Sequence, residues 1–342
     1  MGNGISRKAK LGALMAKRLD AALKKDTKKR HINNNWRVIS KIRRSKMGIT
    51  EEMLQNWAQA PSPDKSKHTH QMIREEIDRH LFNKTKAETF LQGSYRNSTN
   101  ISSDSDVDIV ALNGSMFYSN KNEMSAAFQQ KHNAKYGSSS YDFQQYKNEL
   151  FDVLVNKFGN ENVSKGNKTI RIKGCTTRLN ADVLPCFEYQ DYYDENDMDK
   201  YNLGIGFPVY GRIICNFPKQ HIEHSTDKNS VHYSGGYFNN MVRVSKSIRN
   251  HLIDNHFAIK DDVPSYYLEC LIWNIPAEFF KNKNSWMERT KAIFEHLIKD
   301  LYEDKPEGRY LQANNIFFLF HNIFWDITKA RTFVYNTLKQ LE

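Results

Sequence analysis

In the stretch LQGSYRNSTNISSDSDVDIVAL, residues 91–112, three aspartates stand at alternate positions, Asp104, Asp106 and Asp108, and run into the apolar segment Ile109 to Leu112. Alternation of this kind marks a strand, whose successive side chains point to opposite faces. Asp106 and Asp108 therefore project together while Val107 and Ile109 enter a core. Two carboxylates on one face repel, and the pair is tolerated when a cation lies between them or one takes a proton. Oxygen-only donors favour Mg²⁺ or Mn²⁺ over zinc, and Mg²⁺ usually fills its shell with water and substrate phosphates. A calcium-binding EF-hand loop is excluded: position six would be Ile109 where Gly is needed, and position twelve Ser115 where Glu is needed. Asp104 reads as part of a solvated acidic turn.

Upstream, Gly93 and Ser94 follow the strand-like AETFLQ and precede a short helix. A Gly permits close backbone approach, and exposed N–H groups with a Ser hydroxyl can hold a phosphate. Set ahead of a strand-borne Asp-x-Asp, the pair becomes a phosphate cradle facing a metal site.

GSYRNSTNISSDSDVDIV resembles the signature of the polymerase-β-like nucleotidyltransferase superfamily: Gly-Ser, a spacer, then Asp-x-Asp between apolar residues. That superfamily carries a third carboxylate on a neighbouring strand, and Asp182 in LNADVLPCF suits the position. The resemblance is closest to the cyclic GMP-AMP synthase and DncV-like group, the CD-NTases, which make nucleotide second messengers in animal and bacterial immunity. Lys246 in MVRVSKSIRN looks like the group's Lys that reaches the donor triphosphate from a second-lobe helix. Ser265 and Tyr266 in PSYYLEC look like its phosphate contact and base-stacking ring, and FPKQHIEH is similar to the group as well. The match spans residues 65 to 342 and leaves a basic arm outside it.

The resemblance implies an α+β fold: a polymerase-β-like nucleotidyltransferase lobe, a mixed sheet flanked by helices, plus a C-terminal helical lobe, with the active site in the cleft between them. It implies two Mg²⁺ ions, with Mn²⁺ able to substitute, on Asp106, Asp108 and Asp182. Gln92, Gly93, Ser94, Lys246 and Ser265 would hold the donor nucleotide's phosphates, and Tyr266 would stack its base. The implied activity joins NTPs, drawn from ATP, GTP and pyrimidine NTPs, through 3′-5′ or 2′-5′ phosphodiester bonds. Its product is a cyclic di- or oligonucleotide messenger for CBASS-like anti-phage signalling, read by a downstream effector. Alternatives keep the fold and change the acceptor to RNA, a linear oligonucleotide or a protein, or make the chain a catalytically silent nucleic-acid-binding regulator.

The elements that must position these residues are legible from periodicity. HTHQMIREEIDRHLF, with Met72, Ile73, Ile77 and Leu81 at helical spacing, predicts a helix after the turn-forming APSPDKSK at 60–67. A second helix is expected near 141–158, strands at KTIRIKG and TRLNADVLPCFEY, and a solvated acidic loop in QDYYDENDMDKYN. From about residue 219 the pattern turns helical. FNNMVRVSKSIRNHLID carries Met241, Val244, Ile248 and Leu252 in one stripe, with Arg243, Lys246 and Asn250 opposite. PSYYLECLIWNIP is a short helix, NSWMERTKAIFEHLIKDLYED opens with a capping box from Ser285 to Glu288, and another helix ends the chain. His221 and His224 read as loop residues, with no Cys close enough to complete a zinc site. The expected division is a basic helical arm at 1–62, a nucleotidyltransferase core at 63–218 and a helical lobe at 219–342.

The net charge of +11 is unevenly spread. Residues 1–48 hold fifteen Lys/Arg against two acids, a net of +13, so residues 49–342 sum to −2. A near-neutral body disfavours an RNA acceptor, whose backbone asks for many cations. The arm reads as a basic amphipathic helix over 7–25 with a myristoylation-like MGNGIS opening; nucleic acid, membrane and protein contacts, and packing on the core, stay open for it. Four widely spaced cysteines and the lack of an apolar run long enough to span a bilayer give a cytoplasmic monomer as the expectation.

Overall fold

A computed structural model describes residues 48–103, 105–136, 142–258, 261–303, 306–320 and 325–341. The arm helix expected over 7–25, the MGNGIS pattern and Asp104 lie outside the described residues.

Helix α1, Glu51–Ala58, starts where the Thr50 hydroxyl accepts the Met53 N–H at 3.3 Å. Helix α2, Asp64–Thr85, begins inside the expected turn: Pro63 takes the cap, and the Asp64 carboxylate suits the positive end of a first turn. There follow β1 (Glu88–Leu91), the four-residue α3 (Gly93–Arg96), β2 (Val107–Ser119), α4 (Ala126–Tyr136), α5 (Phe143–Phe158), β3 (Val163–Lys165), β4 (Ile170–Ile172), β5 (Ala181–Tyr192), β6 (Tyr201–Val209) and β7 (Arg212–Asn216). These strands make one sheet in the order β1-β2-β5-β4-β3, with β6 on a further stretch of β5 and β7 on β6. Only β2 and β5 run parallel; the other pairs are antiparallel.

The two central strands are apolar on both faces, as strands covered on both sides must be. Val107, Ile109, Ala111 and Val183 pack with Ile73, Ile77, Leu150 and Leu154 of α2 and α5. The opposite face carries Val110, Leu112, Leu184 and Cys186 against Ile205 and Phe207. By alternation, Asp106, Asp108 and Asp182 share this second face, just beyond the N-terminal limit of its small core.

The helical lobe consists of α6 (Pro218–Asn229), α7 (Val231–Ser234), α8 (Phe238–Asp254), α9 (Ser265–Trp273), α10 (Trp286–Glu303) and α11 (Ile327–Gln340). His221 and His224 lie on α6, not in a loop: Pro218 opens the helix and fixes the backbone for its first turn. Helix α8 is buried around its circumference, Arg243 and Lys246 included, so the polar face expected there meets protein. At the start of α10 the Ser285 hydroxyl accepts the Glu288 N–H at 3.0 Å, while the Glu51 carboxylate takes the N–H groups of Trp286 and Met287 at 2.8 and 2.6 Å.

That contact moves a boundary. Ile49, Leu54 and Ala58 belong to the helical lobe's core, so the expected arm at 1–62 contributes its final helix to that lobe. Among the described residues no helix is long and apolar enough to cross a membrane.

Candidate active site

Parallel pairing sets Asp108 directly beside Asp182, so their carboxylates leave adjacent strands on the same face. Asp106 precedes the first residue of β2, is exposed, and accepts the Asn180 Nδ2–H at 3.0 Å. Burial, then the charges of Asp182 and Asp106, raise the Asp108 carboxyl to about 6. On β4, Arg171 stands opposite Asp182 and donates Nε–H to its Oδ1 at 3.2 Å; Thr169 Oγ1 lies 3.5 Å from the same oxygen.

Among the described residues no three His, Cys, Asp or Glu side chains are drawn together tightly enough to hold a metal ion as they stand. The partners explain this: Asp106 is turned onto Asn180 and Asp182 onto Arg171. The donor set still fits a hard divalent cation, being all oxygen, on one face, with a central carboxyl whose charge is disfavoured by burial and by its two acidic neighbours until a cation offsets it.

Gly93 approaches this carboxylate closely. Its φ is +67°, and a Cβ there would lie 2.6 Å from Asp108 Oδ2, so any side chain would be strained twice over. The adjoining Gln92 N–H donates to the Asp108 carbonyl at 3.0 Å, tying the start of α3 to β2. Ser94 follows, half-buried, and its carbonyl accepts the Thr99 N–H at 2.8 Å.

A cleft of about 290 Å³ opens between the lobes, lined by Gln92, Gly93, Asp108 and Asn216 of the sheet lobe and by His221, Tyr266 and Gln312 of the helical lobe. The Tyr266 ring meets the His221 ring edge to face at 5.3 Å and 72°, and its hydroxyl lies 3.5 Å from Gln312 Oε1. A larger cavity of about 410 Å³ lies between β1 and α6, but it is lined by none of the three aspartates.

Five expected residues stand off that cleft lining: Asp106, Asp182 and Ser94, placed above, and Lys246 and Ser265. Lys246 is buried, donating to the Thr99 carbonyl at 2.9 Å and hydroxyl at 3.1 Å, with Glu269 Oε2 3.8 Å away. Ser265 is exposed at the first turn of α9, where its Oγ accepts Arg249 Nη1–H at 3.1 Å.

Sequence reasoning missed Asn180, Arg171, His221 and Glu269. Arg171 and Glu269 did carry a signal: each is a charge inside an apolar run, IRI and YYLECLIW, the pattern that marked Asp108. Asn180 and His221 acquire their roles only from contacts distant in the chain.

The model of the cGAS/DncV-like nucleotidyltransferase C-terminal helical domain matches residues 223–342. The chain is 32% identical over 280 residues to the cyclic dipyrimidine nucleotide synthase CdnE of Cecembia lonarensis, covering 80% of this chain and 91% of that protein. The solved c-UMP-AMP synthase CdnE of Rhodothermus marinus, with Apcpp and Upnpp, superposes with a TM-score of 0.75 at 31% identity, over 84% of this chain and 95% of that one. The CdnE cyclic dinucleotide synthase of Elizabethkingia meningoseptica, with GTP and Apcpp, gives a TM-score of 0.67 at 27% identity, over 85% and 99%.

Proposed function

Since the chain belongs to the cGAS/DncV-like nucleotidyltransferases, we propose that it joins two or more NTPs into a cyclic oligonucleotide messenger at the cleft built around Asp108. The observation that carries this reading is the side-by-side register of Asp108 and Asp182, with the Asp108 carboxyl raised to about 6 by burial and by its two acidic neighbours.

Asp106 and Asp108 would hold one Mg²⁺ on the donor triphosphate, and Asp182 would share in holding a second beside the attacking hydroxyl. When bound, these ions neutralise phosphate charge and lower the pKa of that hydroxyl. Asp108 must give up its proton first, so the site fills more readily above about pH 6. Gln92 and Gly93 line the cleft beside Asp108, where the donor's phosphates would sit, and Ser94 follows them at the start of α3. Tyr266 offers its ring to a base from the opposite wall.

The acceptor's hydroxyl gives up its proton to solvent as its oxygen attacks the donor's α-phosphorus in line; a new P–O bond forms, the P–O bond between the α- and β-phosphates breaks, and pyrophosphate leaves with that bond's electron pair and the one negative charge it brings. A second transfer, with donor and acceptor exchanged, closes the ring. Lys246 would reach the donor phosphates only by leaving Thr99 and Glu269, and Ser265 by sharing its hydroxyl with Arg249.

The names of the relatives span pyrimidine and mixed products, so the substrates are drawn from ATP, GTP and pyrimidine NTPs, with the choice made by the cleft wall. A cytoplasmic monomer acting in CBASS-like defence, with an effector that reads the ring, completes the proposal. The basic arm is left to bind nucleic acid, membrane or a protein. Pyrophosphate release from the four NTPs with Mg²⁺ tests the reading: release by the wild type and none by Asp108→Asn supports it, and equal release by both sinks it.

A further inference from the structure

Glu269 lies in the middle of the apolar helix α9 and is 3% exposed. Its Oε1 accepts His221 Nε2–H at 2.7 Å and Asn97 Nδ2–H at 3.3 Å, and its Oε2 accepts the Thr99 hydroxyl at 3.3 Å. Lys246, 3.8 Å from Oε2, returns two bonds to Thr99. Arg243 donates to the carbonyl of Ser98, a residue at φ +54°. Every residue of the turn 97–99 is thus gripped by a side chain from the helical lobe.

That turn continues α3. The Asn97 N–H donates to the Gly93 carbonyl at 3.1 Å and the Thr99 N–H to the Ser94 carbonyl at 2.8 Å, so its placement sets that of Gly93 and Ser94. On the other side, the His221 ring that Glu269 holds is the one that meets Tyr266 edge to face. One carboxylate therefore joins the segment framing the phosphate space to the ring facing it.

Chemistry explains why a carboxylate is used. Burial alone would raise the Glu269 carboxyl, yet His221 first, then Lys246 and Asn97, carry it down to about 2, so the charge stays inside the protein. A buried ion with several directional partners contributes little net stability compared with apolar packing, and its value lies in allowing one arrangement. A two-lobed cleft needs that property, because small misplacements of a reacting group cost rate.

We propose that Glu269 is a positioning residue for nucleotidyl transfer: with His221, Asn97 and Thr99 it latches the two lobes so that Gly93–Ser94 and Tyr266 keep one mutual placement. The inference rests on the transferase reading above. Its test uses the full chain with Glu269→Gln, Thr99→Val and the double variant. Turnover of NTPs and amide exchange over residues 93–100 are both measured.

Each single variant should lower kcat about tenfold or more while KM shifts less than about threefold, and the double should be no worse than the worse single, because one latch is broken once. Exchange across 93–100 should quicken in each variant, and Tm should fall further in Glu269→Gln, which leaves Lys246 buried without its carboxylate, than in Thr99→Val. Glu269→Gln turning over at the wild-type rate, or losses that multiply in the double, would overturn the proposal. If Glu269→Gln fails to fold, Thr99→Val decides alone, since it removes the shared hydroxyl and leaves no bare buried charge. A wild-type chain without turnover would end the transferase reading, and exchange would still decide the latch: unaltered protection of 93–100 in Thr99→Val refutes it.

Discussion

Arg171 on β4 faces Asp182 on β5 in register, and its Nε–H reaches Oδ1 at 3.2 Å, so a guanidinium occupies the flank of the carboxylate proposed to hold metal. The pair is largely solvent-exposed on the Arg171 side, which keeps its net worth small. Arg171→Ala should therefore tighten Mn²⁺ binding about two- to fivefold, read by paramagnetic resonance without nucleotide. Weaker binding would mean that Arg171 supports the metal site instead of competing for it.

Asp108 makes the metal-free protein pH-sensitive. Its folded-state carboxyl, at about 6, lies above the ordinary 3.8, so the native state binds a proton that the unfolded chain has released. Stability from this group is full below about pH 4, falls as pH rises, and is lost above about pH 6. Asp108→Asn, which mimics the protonated form, should raise Tm by about 1–4 °C at pH 7.5 in chelator, corresponding to about 1–3 kcal/mol. Near pH 4 the same variant should melt with the wild type. Thermal melts at the two pH values check both halves.

Gly93→Ala should impair the site more than the fold. At φ +67° an alanine costs about 1–2 kcal/mol of strain, and its methyl would push Asp108 out of line. A drop in kcat of about tenfold or more, with a Tm loss of a few degrees, is expected. Kinetics and melts on one preparation separate the two effects.

Tyr266 separates stacking from hydrogen bonding. Its hydroxyl contact to Gln312 is long, 3.5 Å, so Tyr266→Phe should behave like the wild type. Tyr266→Ala removes the ring and should raise the KM for NTP about tenfold, in line with about 1–3 kcal/mol for stacking a base. Initial-rate kinetics across NTP concentrations distinguish the variants.

Sequence alternation alone put Asp106 and Asp108 on one face, because a strand's period of two leaves no choice once Val107 and Ile109 are core. The helices α8 and α9 are equally readable, since the apolar spacing of the first and the bounding Pro264 and Pro276 of the second are local. Three things were not. The pairing of Asp108 with Asp182 depends on which strands become neighbours, and Asp182 entered through the resemblance. The sequence places Lys246 on a polar face with Arg243 and Asn250, and the resemblance places it at the donor triphosphate; its burial against Thr99 and Glu269 follows from packing of the other lobe. His221 and His224 read as loop in the sequence because α6 has a weak apolar stripe, and its first turn is held by Pro218 and by contacts such as His221 to Glu269.

Product identity tests the central claim most directly: the chain is incubated with the four NTPs and Mg²⁺, digested with phosphatase, and the products are identified by mass. A phosphatase-resistant product carrying one phosphate per nucleoside, absent with Asp106→Asn and Asp108→Asn, is the predicted result. Only linear products from the wild type, or a cyclic product that survives loss of Asp108, would contradict it.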